Sequence, residues 1–221
     1  MKYVISGYGK MGHMVEEALK RRGLEVALCS EDIKAVPAEL ARESVCIDFT
    51  TPVAFRENYP FIAANFKAAV VGTTGWNDIS DAVFAAFKQA GSVLVWASNF
   101  SIGVNAWFAA IERVCKVLKG QGYEPSVEEI HHIHKLDAPS GTAKSAASII
   151  SAALGEEPEV TSQRIGEVPG THTAVFVSGV DRLTLTHEAF SRQGFAEGAV
   201  AAAVMTESLA PGCYEFKDLI L

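Results

Sequence analysis

Lys2-Tyr3-Val4-Ile5-Ser6-Gly7-Tyr8-Gly9-Lys10-Met11-Gly12 opens the chain and decides its fold. Lys2 to Ser6 reads as a short β-strand. The six residues after it spell G-x-G-x-x-G, and from His13 to Arg22 the pattern turns helical. Between a strand and a helix, such a loop is a dinucleotide fingerprint. Gly7 permits the tight turn, Gly9 the close approach of a pyrophosphate to backbone, and Gly12 the packing of helix on strand. Tyr8, Lys10 and Met11 complete the loop as cofactor-binding candidates, and the helix start favours phosphate. The plain alternative is a glycine-rich turn that only reverses the chain.

Working outward, the apolar stretch Leu24 to Cys29 ends in Ser30-Glu31-Asp32. These acids stand about twenty residues past the glycines, where one, taken here as Glu31, accepts from a ribose 2′-hydroxyl. No Arg follows at once, which favours NADH, although Lys10 could meet a 2′-phosphate; NADH or NADPH is the expected cofactor. Only about fifteen residues separate Cys29 from Val45, fewer than the roughly thirty of a full βαβ unit. Val45 to Phe49, Ala68 to Val71 and Ser92 to Ala97 read as buried strands, with helical stretches such as Asp78 to Ala90 between them. This alternation predicts an α/β fold, a Rossmann-like parallel sheet with covering helices. Ligand loops leave the carboxyl ends of such strands. Gly72, Thr73 and Thr74, and then Ala97, Ser98, Asn99 and Phe100, lie in those loops, and either loop alone could be an ordinary polar turn.

After Ser101 the pattern changes. An amphipathic helix from Val104 to Leu118 precedes a His-rich strand, a second helix, and strand-like stretches at Val160 to Gly166, Thr173 to Val180 and Leu183 to Glu188. Strands with few intervening helices predict a second, α+β domain with an open, mixed and mainly antiparallel sheet. An Ala-rich helix, Phe195 to Leu209, and a tail, Tyr214 to Leu221, follow and return to the first domain. The expected division is 1–99 with 192–221 for dinucleotide binding, and 100–191 for substrate binding and oligomerisation.

Chemistry concentrates in Glu129 to Ala143, where His131, His132, His134 and Lys135 precede Asp137-Ala138-Pro139-Ser140-Gly141-Thr142. In an extended strand His131 and Lys135 share one face and His132 and His134 the other; a helical spacing of four also pairs His131 with Lys135. Pro139 breaks the strand, and Ser140 is placed to N-cap a helix from Gly141 to Leu154. The free N–H groups of Gly141 and Thr142 then favour a carboxylate or phosphate. Proton-bearing side chains and an anion cradle converge on one small acidic ligand. Two rival readings are surface decoration and a metal site at His132 and His134. No third ligand sits at a familiar spacing, and the cysteines are scattered singly, so no metal is expected.

Composition sets limits. The 221 residues, 49% hydrophobic, can bury a core as one unit or two lobes. A net charge of −7 argues against a nucleic-acid partner. Four scattered cysteines suit a reducing compartment. With no signal peptide before the first strand and no apolar run of about twenty residues, no membrane association and a cytoplasmic location are expected.

The chain resembles the 4-hydroxy-tetrahydrodipicolinate reductase (dihydrodipicolinate reductase) family, in its short form. The resemblance is most specific from Glu129 to Ala143, a His-rich strand followed by Lys-x-Asp-Ala-Pro-Ser-Gly-Thr-Ala. Gly7 to Gly12, Asp48-Phe49-Thr50, Gly72 to Gly75, Asn99 to Asn105, Ser191-Arg192 and Phe195-Ala196 support it. It implies an enzyme of diaminopimelate and lysine synthesis that reduces a cyclic imine dicarboxylate with NADH or NADPH, as a homotetramer assembled through the second sheet, with binding in a cleft that closes. It implies Lys135 as proton donor to the carbon beside the hydride acceptor, His131 as proton donor or acceptor, and His132, Ser140, Gly141 and Thr142 as substrate-binding. Clustered cations are expected to depress the proton affinity of both His131 and Lys135. Another nicotinamide-dependent imine or amino-acid reductase would keep the glycine loop without needing Lys135 beside Ser140-Gly141-Thr142. A non-catalytic dinucleotide sensor would keep it without the His131 and Lys135 pair.

Overall fold

A computed structural model describes residues 1–221 and divides the chain into two compact units, Met1–Ser101 with Phe195–Leu221, and Ile102–Gly194. The first unit runs β1 (Lys2–Ser6), α1 (Lys10–Arg21), β2 (Glu25–Ser30), α2 (Ala38–Arg42), β3 (Ser44–Asp48), α3 (Pro52–Asn65), β4 (Ala68–Val71), α4 (Ser80–Ala90) and β5 (Val93–Trp96). The second runs α5 (Ile102–Leu118), β6 (Glu124–His131), α6 (Gly141–Leu154), β7 (Glu159–Arg164), β8 (Gly170–Val177) and β9 (Arg182–Ala189). α7 (Gln193–Met205), β10 (Gly212–Glu215) and α8 (Phe216–Ile220) end the chain.

Six strands of the first unit form one parallel sheet in the order β10-β5-β4-β3-β1-β2. Its inner strands β1, β3, β4 and β5 are buried on both faces, as parallel strands under helices must be, and the edge strands β2 and β10 are partly exposed. Tyr3, Ile5, Val45, Ile47, Val70 and Val95 face one core with α1 and α7. Val4, Cys46, Ala69, Val71 and Leu94 face the other with α3 and α4. α7 is alanine-rich because it lies hard against its neighbours: a Cβ on Gly198 would stand 1.7 Å from the Phe100 carbonyl oxygen. The tail supplies the edge strand β10, paired in parallel with β5. The short span between β2 and β3 holds only a 3₁₀ turn, Ile33–Ala35, and the single-turn α2.

Four strands of the second unit form a mixed sheet in the order β7-β6-β8-β9, with β6 parallel to β7 and the other pairs antiparallel. α6 is the crossover that parallel pairing requires. One face of the sheet is divided along its strands. Val127, Ala174 and Phe176 pack under Trp107 and Ile111 of α5 and Ala146 and Ile150 of α6. Further along the same face, alternation places Glu129 and His131 of β6, His172 of β8 and His187 of β9. The strand predicted to run through Lys135 stops at His131. Ile133 N–H donates instead to the Gly166 carbonyl (3.0 Å) and Lys135 N–H to that of His132 (3.2 Å), so residues 132–135 form a turn and period-two alternation ends there.

Candidate active site

In the first unit the glycine loop leaves β1 beside β3, where strand order reverses, the place at which open parallel sheets bind ligands. Gly7 has φ +84°, and a Cβ there would meet the Phe49 carbonyl oxygen at 2.6 Å. A Cβ on Gly12 would stand 2.3 Å from the Gly7 carbonyl oxygen, so loop and helix close only on glycine. Gly9, by contrast, faces open space, with nothing within 4 Å of a Cβ. It is the N-cap of α1 and no side chain caps that helix, so the N–H groups of its first turn remain available to an anion. These residues fit a dinucleotide pyrophosphate.

Three loops are tied together by one carboxylate. Asp48, fully buried at the end of β3, accepts from Ser6 Oγ (2.7 Å), Thr73 Oγ1 (2.6 Å) and Thr50 Oγ1 (3.0 Å). Thr73 therefore turns its hydroxyl inward, while Thr74 is exposed. Phe100 is buried between Phe49 and Phe216, so this candidate can offer a cofactor only its backbone. Ala97 is also buried, Ser98 is exposed, and Asn99 Oδ1 accepts from Ser101 N–H (2.8 Å). Among the acids after β2, Asp32 caps the 3₁₀ turn through Lys34 N–H (3.0 Å). Glu31 is exposed.

In the second unit, Ser140 N-caps α6 by accepting from Ala143 N–H (3.2 Å). The N–H groups of Gly141 and Thr142, in the first turn, have no helical carbonyl to bond. Before them stand Lys135, paired with Asp137 (2.7 Å), and His131. His132 is half-buried, its ring 6.1 Å from that of His134, which is exposed and paired with Glu167 (3.2 Å).

His131 is surrounded by groups the sequence reading did not single out. Glu129 Oε2 lies 3.2 Å from His131 Nδ1 and 3.9 Å from His172 Nε2. Glu129 Oε1 accepts from Ser140 N–H (3.0 Å) and Arg164 Nη2 (3.1 Å). The His131 and His172 rings are 4.9 Å apart, and His172 Nε2 is 3.2 Å from Ser140 Oγ. The only prior sign of these partners was histidine and arginine on strand-like stretches; their meeting depends on register, which sets Glu129 opposite His172, His172 opposite His187, and His131 opposite Arg164. Glu129, His131 and His172 also form a metal-capable donor set within 4.8 Å, away from the His132 and His134 pair considered as ligands from sequence. Arg164, bonded to the same carboxylate, opposes a second cation there.

Burial, more than clustered cations, holds the His131 imidazole below its usual range; Glu129 raises it, and Lys135, Arg164 and His132 add to the lowering. Burial, reinforced by His131, pushes His172 down to about 4. Burial opposes the charge on Glu129, but Ser140, the neighbouring Ser162 hydroxyl and Arg164 outweigh it and hold its carboxyl below the usual range. The set at neutral pH is an anion, a cation and neutral imidazoles.

A glycine loop at the switch point of a parallel sheet, with a separate sheet carrying proton-bearing groups and an anion-favouring helix start, defines a nicotinamide-dependent oxidoreductase that uses NADH or NADPH. Residues 22–100 match the family model described as dihydrodipicolinate reductase, N-terminus, and residues 103–220 its C-terminus counterpart. The chain therefore belongs to the dihydrodipicolinate reductase family. It is 35% identical to the 4-hydroxy-tetrahydrodipicolinate reductase of Christiangramia forsetii, over 100% of this chain and 98% of that one. It is 37% identical to the enzyme of that name from Methanopyrus kandleri, over 84% and 74%. In fold it is similar to a dipicolinate-bound dihydrodipicolinate reductase from Paenisporosarcina sp. TG-14, with TM-score 0.81, 19% identity and 99% of each chain covered.

Proposed function

We infer that this enzyme reduces 4-hydroxy-tetrahydrodipicolinate, through the dehydrated cyclic imine, to tetrahydrodipicolinate in diaminopimelate and lysine synthesis. The observation that carries the reading is the short segment from His131 to Thr142, which supplies a buried imidazole, an ammonium and two helix-start amides. A flat dianion with an adjacent carbon to protonate needs that set.

Residues 1–99 with 192–221 form the dinucleotide-binding domain, and 100–191 the substrate and oligomerisation domain. When bound, the nicotinamide supplies a hydride to ring C4 of the imine. Lys135 delivers a proton to the adjacent ring carbon, and His131 exchanges a proton beside it. His132 and the amides of Gly141 and Thr142 hold a substrate carboxylate, while Ser140 shapes that helix start as its cap. Gly7 to Gly12, Gly72 to Thr74 and Ala97 to Phe100 hold the cofactor, with Glu31 accepting from the ribose. An exposed acid there favours the 2′-hydroxyl of NADH over the 2′-phosphate of NADPH. The face of the second sheet opposite α5 and α6 carries Thr173, Val175, Thr184 and Thr186, flanked by Glu128, Arg182 and Glu188, a row of β-branched residues with charged borders suited to pairing subunits in a homotetramer. Four free cysteines suit the cytoplasm, and no helix is long and apolar enough to cross a membrane.

Oxidation of NADH and NADPH is measured with substrate generated in place by its synthase, beside Lys135→Ala. Turnover is expected with both, faster with NADH. In the variant kcat falls by about two to four powers of ten while dinucleotide affinity stays within about twofold, the pattern of a lost transition-state proton donor. Intact cofactor binding without turnover would reject this substrate.

A further inference from the structure

We propose that Glu129 is a positioning residue for the reduction, a single buried carboxylate that sets the orientation and tautomer of His131 with one oxygen and anchors the carboxylate-binding start of α6 with the other. The inference rests on the proposed reaction for its meaning, but its geometry stands alone. Glu129 is 1% exposed. Its Oε1 is committed, accepting from the backbone N–H of Ser140, the N-cap of α6, and from Arg164. Its Oε2 faces His131 Nδ1 at 3.2 Å and accepts no aligned hydrogen bond, and Nδ1 has no other partner.

An ionised carboxylate only accepts. Facing Nδ1, it favours the tautomer with hydrogen on Nδ1 and leaves Nε2 as the nitrogen that takes up or releases a proton. Gly170 keeps that second nitrogen clear, since a Cβ there would stand 3.0 Å from Nε2. Arg164 holds the hub from behind, donating to Glu129 Oε1 and to the Asp137 carbonyl oxygen (2.5 Å). It thereby links β7 to the segment that carries Lys135. One charge thus fixes proton chemistry and substrate cradle in register, a coupling that β6 and α6 would not have as separate elements.

Glu129→Gln tests this with little change of shape. The amide oxygen can still accept from Ser140 and Arg164, which places the amide NH₂, a donor, against Nδ1 and inverts the tautomer of His131. The expected result is a fall in kcat of about a hundredfold or more, as for a misoriented catalytic imidazole. Dissociation constants for NADH and for pyridine-2,6-dicarboxylate should change less than about threefold, since the α6 anchor survives. The pH–rate limb belonging to His131 moves to lower pH, because the charge that favours its protonation is gone.

The second measurement needs no activity. ¹⁵N correlation spectra of histidine-labelled wild-type protein, with His131 assigned by loss of its signal in His131→Gln, should show the Nδ1–H form in wild type and the Nε2–H form in Glu129→Gln. An Nε2–H form in wild type, or a variant with wild-type kcat and pH profile, overturns the proposal. So does wild-type activity abolished by a chelator and restored by zinc, which would make Glu129 a metal ligand. Failure of the proposed reaction shows differently, as a wild-type enzyme inert toward the substrate whatever the tautomer.

Discussion

Asp48 gathers three hydroxyls, those of Ser6, Thr50 and Thr73, at the carboxyl ends of β1 and β3 and in the loop after β4. Burial raises its pKa, and hydrogen bonds from Thr73, Ser6 and Thr50 pull it back. Asp48→Ala leaves buried hydroxyls without their acceptor, so unfolding free energy in urea should fall by about 2–4 kcal/mol. Dinucleotide affinity should fall about tenfold or more, because the loops that hold the cofactor lose their common anchor. Equal affinity in a destabilised variant would show that Asp48 serves the fold alone. At this scale the sequence is legible where a residue belongs to a local pattern. Gly7, Gly9, Gly12, His131, Lys135 and Ser140 announce themselves by spacing. Asp48 and Glu129 stood in quoted stretches without a role, and Arg164, His172 and His187 went unremarked. Their meaning is long-range: Glu129 and His172 meet only because β6 and β8 pair in one register, and a shift of one residue would turn either to the other face.

Among the elements, the turn from β1 into α1 separates two uses of glycine. Gly12 is enclosed and Gly9 is open. Gly12→Ala must push the Gly7 carbonyl away, so both melting temperature and dinucleotide affinity should drop. Gly9→Ala meets nothing in the free protein; its melting temperature should change by less than about 2 °C, while dinucleotide affinity falls about tenfold because a methyl then occupies the approach of the pyrophosphate. Calorimetric melting with dinucleotide titration checks both. A Gly9→Ala protein that binds normally would move the phosphates away from this helix start. Elements with strong local signals lie close to where the sequence places them. α6 spans Gly141–Leu154 as its Ser140 cap predicts, and β1 covers Lys2–Ser6. Ends set by tertiary hydrogen bonds do not. β6 stops at His131 because Ile133 bonds to Gly166, a loop partner that no periodicity reveals.

Across the whole molecule, the response of stability to mild acid is set by three buried histidines of the second unit. His131, His172 and His187 are all held below the ordinary histidine range of 6.5, each chiefly by burial. As pH falls from 6.5, the unfolded chain takes up protons at these positions and the folded chain does not, down to about 4 for His172. The unfolded state then binds more protons, so stability falls with pH across that window. Glu129 and Asp137, held below the ordinary carboxylate values of 4.5 and 3.8, contribute stability that is lost only at lower pH, as each is protonated in the folded protein. Asp48 works the other way, since its raised pKa favours the folded state as pH falls toward 3.8. It belongs to the first unit, whose Glu16, Glu43, Asp78 and Glu197 are held below the ordinary carboxylate range and lose their contribution only at lower pH, so in the histidine window acid acts chiefly on the second unit. Between pH 7.5 and 5 the urea midpoint should decline, and hydrogen exchange should quicken first in β6, β8 and β9 while β1, β3 and β4 stay protected. His172→Gln, which removes the most depressed of the three imidazoles, should flatten part of that decline. A midpoint constant across the window would mean that these histidines take up protons as readily in the folded protein as in the unfolded chain, so that burial does not hold them neutral.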